Sequence, residues 1–124
     1  MPINLFDPTI ERLGKALAVH QQRHEVVVSN IANVETPGYH AREVDFRGSL
    51  EAAFAAPPGA GGDAGAVQAK VIDDPEGPVG ADGNSVDIDL QMAKLAANSG
   101  RFNTLAKILG KRFAILRQAI DGVR

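Results

Sequence analysis

The sequence predicts an all-α fold: two long terminal helices paired as a coiled-coil hairpin, with a short extended arm and a flexible middle linker between them. Three observations carry that prediction. Apolar residues recur at alternating spacings of three and four near both termini, the seam of paired helices. A Pro-Gly turn follows the first periodic stretch, and an Ala/Gly/Pro-rich stretch separates it from the second. The 124 residues suffice for one structural domain, which divides as 1–55, 56–84 and 85–124.

The first helix is expected over residues 8–33, roughly 39 Å long at 1.5 Å per residue. Asp7 is a suitable N-cap and Pro8 follows at the first helical position, where a missing N–H is harmless. Ile10, Leu13, Leu17, His20, His24, Val27, Ile31 and Val34 form its seam. Asn33 tolerates the left-handed conformation that closes helices, and Thr36 before Pro37 is pushed away from helix. Pro37-Gly38 fits the central positions of a type II turn, with Gly at positive φ. His40 to Phe46 then alternate as a short extended arm with Val44 and Phe46 on one face, followed by a short helix over 47–54.

Residues 56–84 read as the linker, since Ala-Pro-Pro-Gly-Ala-Gly-Gly-Asp-Ala-Gly offers nothing large to bury. Val67, Ala69 and Val71 suit no more than a weak strand or hairpin arm. Pro75-Glu76-Gly77-Pro78 and Asp82-Gly83-Asn84 are turn chemistry. The last helix is expected from Ser85 or Asp87 to Ile120, with acids at its start and Lys107, Lys111, Arg112 and Arg117 in its second half. Its seam is Met92, Leu95, Ser99, Phe102, Ala106, Leu109, Phe113, Leu116, Ile120 and Val123, and Leu105, Ile108 and Ile115 widen the apolar face beyond what one partner helix requires.

Composition bounds the function. Only five Phe and one Tyr supply aromatic area, so the core is lean and gains from association with other chains. Net charge is −2, which gives no global basic field for nucleic acid. The charge is nevertheless polarised. Residues 51–89 hold one base, Lys70, against eight acids, and residues 90–124 hold seven bases against one acid, Asp121. The bases lack the interleaved aromatics that stack nucleotides, so a solvated helix face is the better reading. No run of about 18 apolar residues spans a bilayer, and Met1 to Thr9 lacks the pattern of a cleavable secretory signal.

No catalytic or cofactor site is expected. With no Cys, thiolate metal sites are excluded. His20 and His24 have a metal-compatible i, i+4 spacing, but Gln21, Gln22 and Arg23 between them make no zinc motif, so packed or interfacial histidines are expected. Asp82 to Asp89 lacks the register and bidentate Glu of a calcium loop. Ser29, His24 and Asp45 form a triad only on paper.

The run Ser29-Asn30-Ile31-Ala32-Asn33-Val34-Glu35-Thr36-Pro37-Gly38-Tyr39 resembles the signature that closes the first helix of flagellar rod, hook and related axial proteins. His40 to Phe46, and Asp82 to Asp89 entering the last helix, look like the proximal-rod members of that family. The resemblance implies a structural subunit of the basal-body rod, part of the drive shaft and export-channel wall. It implies type III export without a cleaved signal peptide, a periplasmic location, and terminal helices that polymerise as a helical tube. It makes Asn30, Asn33, Thr36, Pro37, Gly38 and Tyr39 the family's assembly turn, and Leu13, Leu17, Val27, Ile31, Phe102, Leu109, Phe113 and Leu116 the assembly seam. Phe46 and Leu50 look like the short motif by which export substrates dock on the export gate. The implied partners are other copies of the chain, other rod subunits, the rod–MS-ring adaptor FliE and, transiently, the export gate. A soluble coiled-coil adaptor or chaperone that binds one partner helix is the alternative.

Overall fold

A computed structural model describes residues 7–55 and 67–122. Asp7 opens the fold: its carboxylate accepts the Ile10 N–H at 2.8 Å, with Pro8 at the first position of α1 (Pro8–Ala32). The helix closes at Asn33, whose N–H is shared between the Ser29 and Asn30 carbonyls at 3.2 and 3.1 Å. β1 (Arg42–Val44), α2 (Phe46–Ala55), β2 (Val71–Asp73) and α3 (Ile88–Asp121) follow. Asp87 caps α3, accepting the Asp89 and Leu90 N–H groups at 3.0 and 3.3 Å. Gly100 and Gly110 lie inside α3, and a Cβ on either would meet nothing within 4 Å, so neither serves a close helix approach within this chain.

α1 is the centre of the molecule and touches α3, α2 and β1. It runs antiparallel to α3, because Asn30 meets Gln91 near one end while His20 meets Asn98 further along. The buried apolar side chains are Ile10, Val19, Val27, Ala41, Val44 and Ala53, a lean set in which each Val contributes about 1.5–3 kcal/mol. Gln91, Asn30 and Asn98 are as deeply buried as Val19 and Val27. Amides at that depth hold only where their hydrogen bonds are made.

The all-α expectation is corrected by a two-stranded antiparallel sheet, with Arg42 opposite Asp73, Glu43 opposite Ile72 and Val44 opposite Val71. Asp45 N–H to Lys70 O (2.8 Å) and Asp74 N–H to Ala41 O (2.9 Å) extend the ladder at both ends. The physical reason is backbone satisfaction: an extended arm laid on a helix leaves a row of N–H and C=O groups that need partners. β2 supplies them on one edge. On the other, the Asn30 amide takes the place of a strand, accepting the Arg42 N–H at 2.9 Å and donating to the Arg42 carbonyl at 2.7 Å. Gln22 does the same for the stretch before β2, donating to Val67 O (2.6 Å) and accepting from Ala69 N (2.7 Å).

Within the expected linker, residues 67–84 therefore carry β2 and a hydrogen-bonded turn. Residues 56–66 of that linker, and Val123 of the expected seam, lie outside the described residues. α2 starts on Asp45, whose side chain accepts the Gly48 N–H at 3.2 Å; a Cβ at Gly48 would collide with that carboxylate. At its other end the buried Lys15 ammonium donates to Ala53 O at 3.0 Å and pairs with Glu11 at 3.3 Å.

Candidate functional site

Tyr39 N–H donates to Thr36 O at 3.2 Å around Gly38, whose φ is +73°. This is the type II turn expected of Thr36-Pro37-Gly38-Tyr39, with Gly where an L side chain is strained. Behind it the chain is tied to the helix end. Asn33 Nδ2 donates to Ser29 O (2.8 Å), and Thr36 Oγ1 donates to Asn33 Oδ1 (3.1 Å). Thr36, Pro37 and Gly38 are exposed, Asn33 and Tyr39 half-buried, and Asn30 fully buried.

The segment before α3 clamps this turn. Asn84 Nδ2 donates to two of its carbonyls, Asn33 O at 2.9 Å and Thr36 O at 2.7 Å. Gly38 N–H donates to Asp82 O (3.0 Å), and Ser85 N–H to Tyr39 O (3.0 Å). Ser85 Oγ accepts the Ala41 N–H at 2.8 Å. Asn84 is itself held, because its N–H donates to Asp82 Oδ1 (3.1 Å) and its Oδ1 accepts from Val86 N (2.7 Å). Gly83, at φ +78°, sits against the backbone of Gly38, the other positive-φ glycine of the described residues.

Asn30 joins the turn to the helix pair. Its Nδ2 donates to Arg42 O and, at 2.9 Å, to Gln91 Oε1; its Oδ1 accepts from Arg42 N and, at 3.4 Å, from the Tyr39 hydroxyl. Both donors and both lone pairs of the amide are then in use. Asn98 makes a second polar joint, with Nδ2 donating to His20 O at 2.8 Å. Its Oδ1 is therefore the acceptor for His20 Nδ1, also at 2.8 Å, which assigns the ring proton to Nδ1.

A charged knot holds the sheet to the helices. Lys94 of α3 meets Asp74 at 2.7 Å, Glu43 at 3.0 Å and Glu76 at 3.5 Å, while Arg23 of α1 meets Glu43 at 3.0 Å. Burial opposes the charge of Glu43, yet hydrogen bonds from Arg23, Lys94 and the Val44 N–H outweigh it and hold the carboxyl below its usual range. Burial likewise opposes the charge of Asp74, and Lys94 with the Glu76 N–H reverses the balance. Lys94, desolvated in turn, is pushed up by Asp74 and Glu43.

The remaining expected residues are placed as follows. Phe46 opens α2 and packs half-buried on His20, ring centroids 4.5 Å apart, with the Arg23 guanidinium 5.7 Å from its ring; Leu50 is also half-buried. Val27 is buried, and Leu13, Leu17, Ile31, Phe102, Leu109 and Leu116 are half-buried. Phe113 is 44% exposed. His24 is exposed and His20 buried, and among the described residues no group of three or more His, Cys, Asp or Glu could hold a metal ion. Among those residues no helix is long and apolar enough to cross a membrane.

Sequence reasoning missed Gln91, Lys94 and Asn98, because periodicity scores only apolar positions. The turn chemistry of Asp82-Gly83-Asn84 was visible, but its partner some 48 residues earlier was not.

What these residues build is the course of a chain between two helices, fixed by amide and backbone hydrogen bonds, and the class they define is a helical structural protein. A model of the family described as "Flagella basal body rod protein" matches residues 11–40, which take in most of α1 and the turn. Flagellar basal body rod protein FlgB of Cereibacter sphaeroides is 34% identical over 118 residues, covering 88% of this chain and 91% of the relative. The proteins of the same name from Bacillus subtilis and Salmonella typhimurium are each 28% identical, covering 97% of this chain and 98% of theirs. The chain belongs to the flagellar basal body rod protein family.

Proposed function

We propose that the chain is a structural subunit of the proximal rod, polymerising through α1 and α3 to form part of the drive shaft and of the export-channel wall. The observation that carries the reading is the Thr36-to-Tyr39 turn, which Asn84 holds at Thr36 O while also holding the α1 cap at Asn33 O, so that the turn is tied to both helices. A subunit of a stiff shaft needs such a joint, since its helices transmit torque only if their connection does not yield. The seven-residue spacing of Leu109 and Leu116 on α3 supports coiled-coil pairing with neighbours.

In this reading the partners are further copies, other rod subunits and the adaptor FliE, in the periplasm. Export precedes folding and proceeds without a cleaved signal. Phe46 and Leu50, which pack toward the interior of the folded chain, would meet the export gate before that packing forms. Two measurements test the proposal. A strain lacking the chain should be non-motile and regain motility with the wild-type gene. In the complemented strain, Phe46→Ala should lower the amount of chain leaving the cytoplasm. Full motility without the chain would contradict the rod reading; unchanged export of the Phe46 variant would remove only the gate motif.

A further inference from the structure

α3 leaves apolar side chains uncovered at both of its ends. At the first end Ile88 is 41% exposed and Met92 50%, and Val79, in the segment that leads into α3, is 63% exposed. At the second, Ile115 is 61% exposed and Ile120 55%. The charges around them are opposite. Residues 71–89 hold six acids and no base; Asp74 is neutralised by Lys94, which leaves Asp73, Glu76, Asp82, Asp87 and Asp89 as the charge of that end. Residues 101–121 hold Arg101, Lys107, Lys111, Arg112 and Arg117 against Asp121, which pairs only loosely with Arg117 at 3.9 Å. Neighbouring charges do not cancel this polarity: Glu35 offsets Arg42 of β1 at the acidic end, and Asp7 offsets Arg12 at the basic one.

The two ends lie about 50 Å apart along a 34-residue helix at ~1.5 Å per residue, so they cannot meet within one chain. We infer that they meet between copies: the basic apolar end of α3 on one subunit docks on the acidic apolar end formed by residues 71–92 of the next. Different surfaces on the two partners make the contact heterologous, and a heterologous contact that does not close on itself propagates as a filament. Opposite charge sets the direction, and like ends repel. The inference rests on the assembly reading above and names which face of the chain meets its own kind.

The test uses the full purified chain and its size in solution. Wild type should form species whose mass grows with concentration in dilute salt. It should return toward the 13.1 kDa monomer at about 1 M salt, where the Debye length is about 3 Å. The pair Lys111→Glu/Arg112→Glu cancels the net positive charge of the basic end, and Asp73→Lys/Asp89→Lys removes most of the negative charge of the acidic one. Each double variant alone should stay monomeric, and an equimolar mixture should pair one to one, because the native acidic end of the first variant then meets the native basic end of the second. Self-association of either variant at the wild-type level, or failure of the mixture, overturns the proposal. So does a wild-type chain that stays monomeric but binds vesicles of anionic lipid through Lys111 and Arg112, which would make the basic end a membrane face. A chain found in basal bodies yet insensitive to these swaps would keep the rod reading and lose this one.

Discussion

Asn98 grips His20 at two points, donating to its main-chain carbonyl and accepting from its ring Nδ1, both at 2.8 Å. The pair is buried and sits where α1 and α3 cross. Asn98→Ala leaves the Nδ1–H without its acceptor, and an orphaned buried donor costs about 1–3 kcal/mol. The helical circular dichroism signal, followed in urea at fixed chain concentration, should lose that much stability. Asn98→Leu should not recover it, since added apolar volume does nothing for the His20 ring.

Asn84 is expected to matter for the order of the turn. Asn84→Ala removes the donor to Asn33 O and Thr36 O, and the cost is again about 1–3 kcal/mol, reduced where water reaches the exposed turn. Hydrogen exchange gives the sharper readout. The Gly38 and Ser85 amides, which bond across the clamp, should lose protection while the amides of mid-α1 keep theirs. Uniform loss along the chain would point to global destabilisation instead.

Gly38 has φ +73° and open space where a Cβ would stand, so steric crowding is not the issue; backbone conformation is. Gly38→Val should cost about 1–3 kcal/mol in strain and block motility, whereas Gly38→Asn should retain it because Asn visits the left-handed region. Equal motility of the two variants would contradict the role given to the turn.

The Lys94 knot predicts a pH dependence with two limbs. Glu43 and Asp74 are held below their ordinary range, so their contribution is complete above about pH 4–5 and is lost as pH falls through the lowered values. Lys94 is raised, so its share is complete below about pH 10 and is lost as pH climbs through the raised value. Lys94→Met strands the Asp74 carboxylate, whose side chain is only 1% exposed. The penalty should fall at or below about 3 kcal/mol, the low end for broken buried pairs, because Glu76 keeps one side of the knot in water. Acidification protonates the stranded carboxylates, so the gap between wild type and variant should narrow from neutral to about pH 3. A gap that stays constant over that range would mean the knot is not electrostatic.

The sequence displayed both long helices because their signals are local: Asp7 with Pro8, the Asn33 close, and Asp87 ahead of α3. Pro37-Gly38 announced its turn for the same reason. β2 was hard to see, since Val71, Ile72 and Asp73 are all exposed and show no buried face to alternate. Its register is set by Glu43, Lys94 and Asp74, residues distant in sequence. The polar joints were hidden by the period itself. Asn30, Gln91 and Asn98 occupy buried positions of paired helices, and a pattern built from apolar residues passes over them; Asn30 alone is named, through the family resemblance. Such amides in a helix seam fix register at some cost in stability, which suits a subunit that must pack in one way.

The most direct test of the structural role is recovery of the tagged chain from detergent-extracted basal bodies. The rod reading predicts that the chain co-purifies with them, and that density for two antiparallel helices joined at the Thr36-to-Tyr39 turn appears in the rod. Recovery solely from the soluble fraction, in complex with a single partner helix, would contradict it and favour a cytoplasmic adaptor.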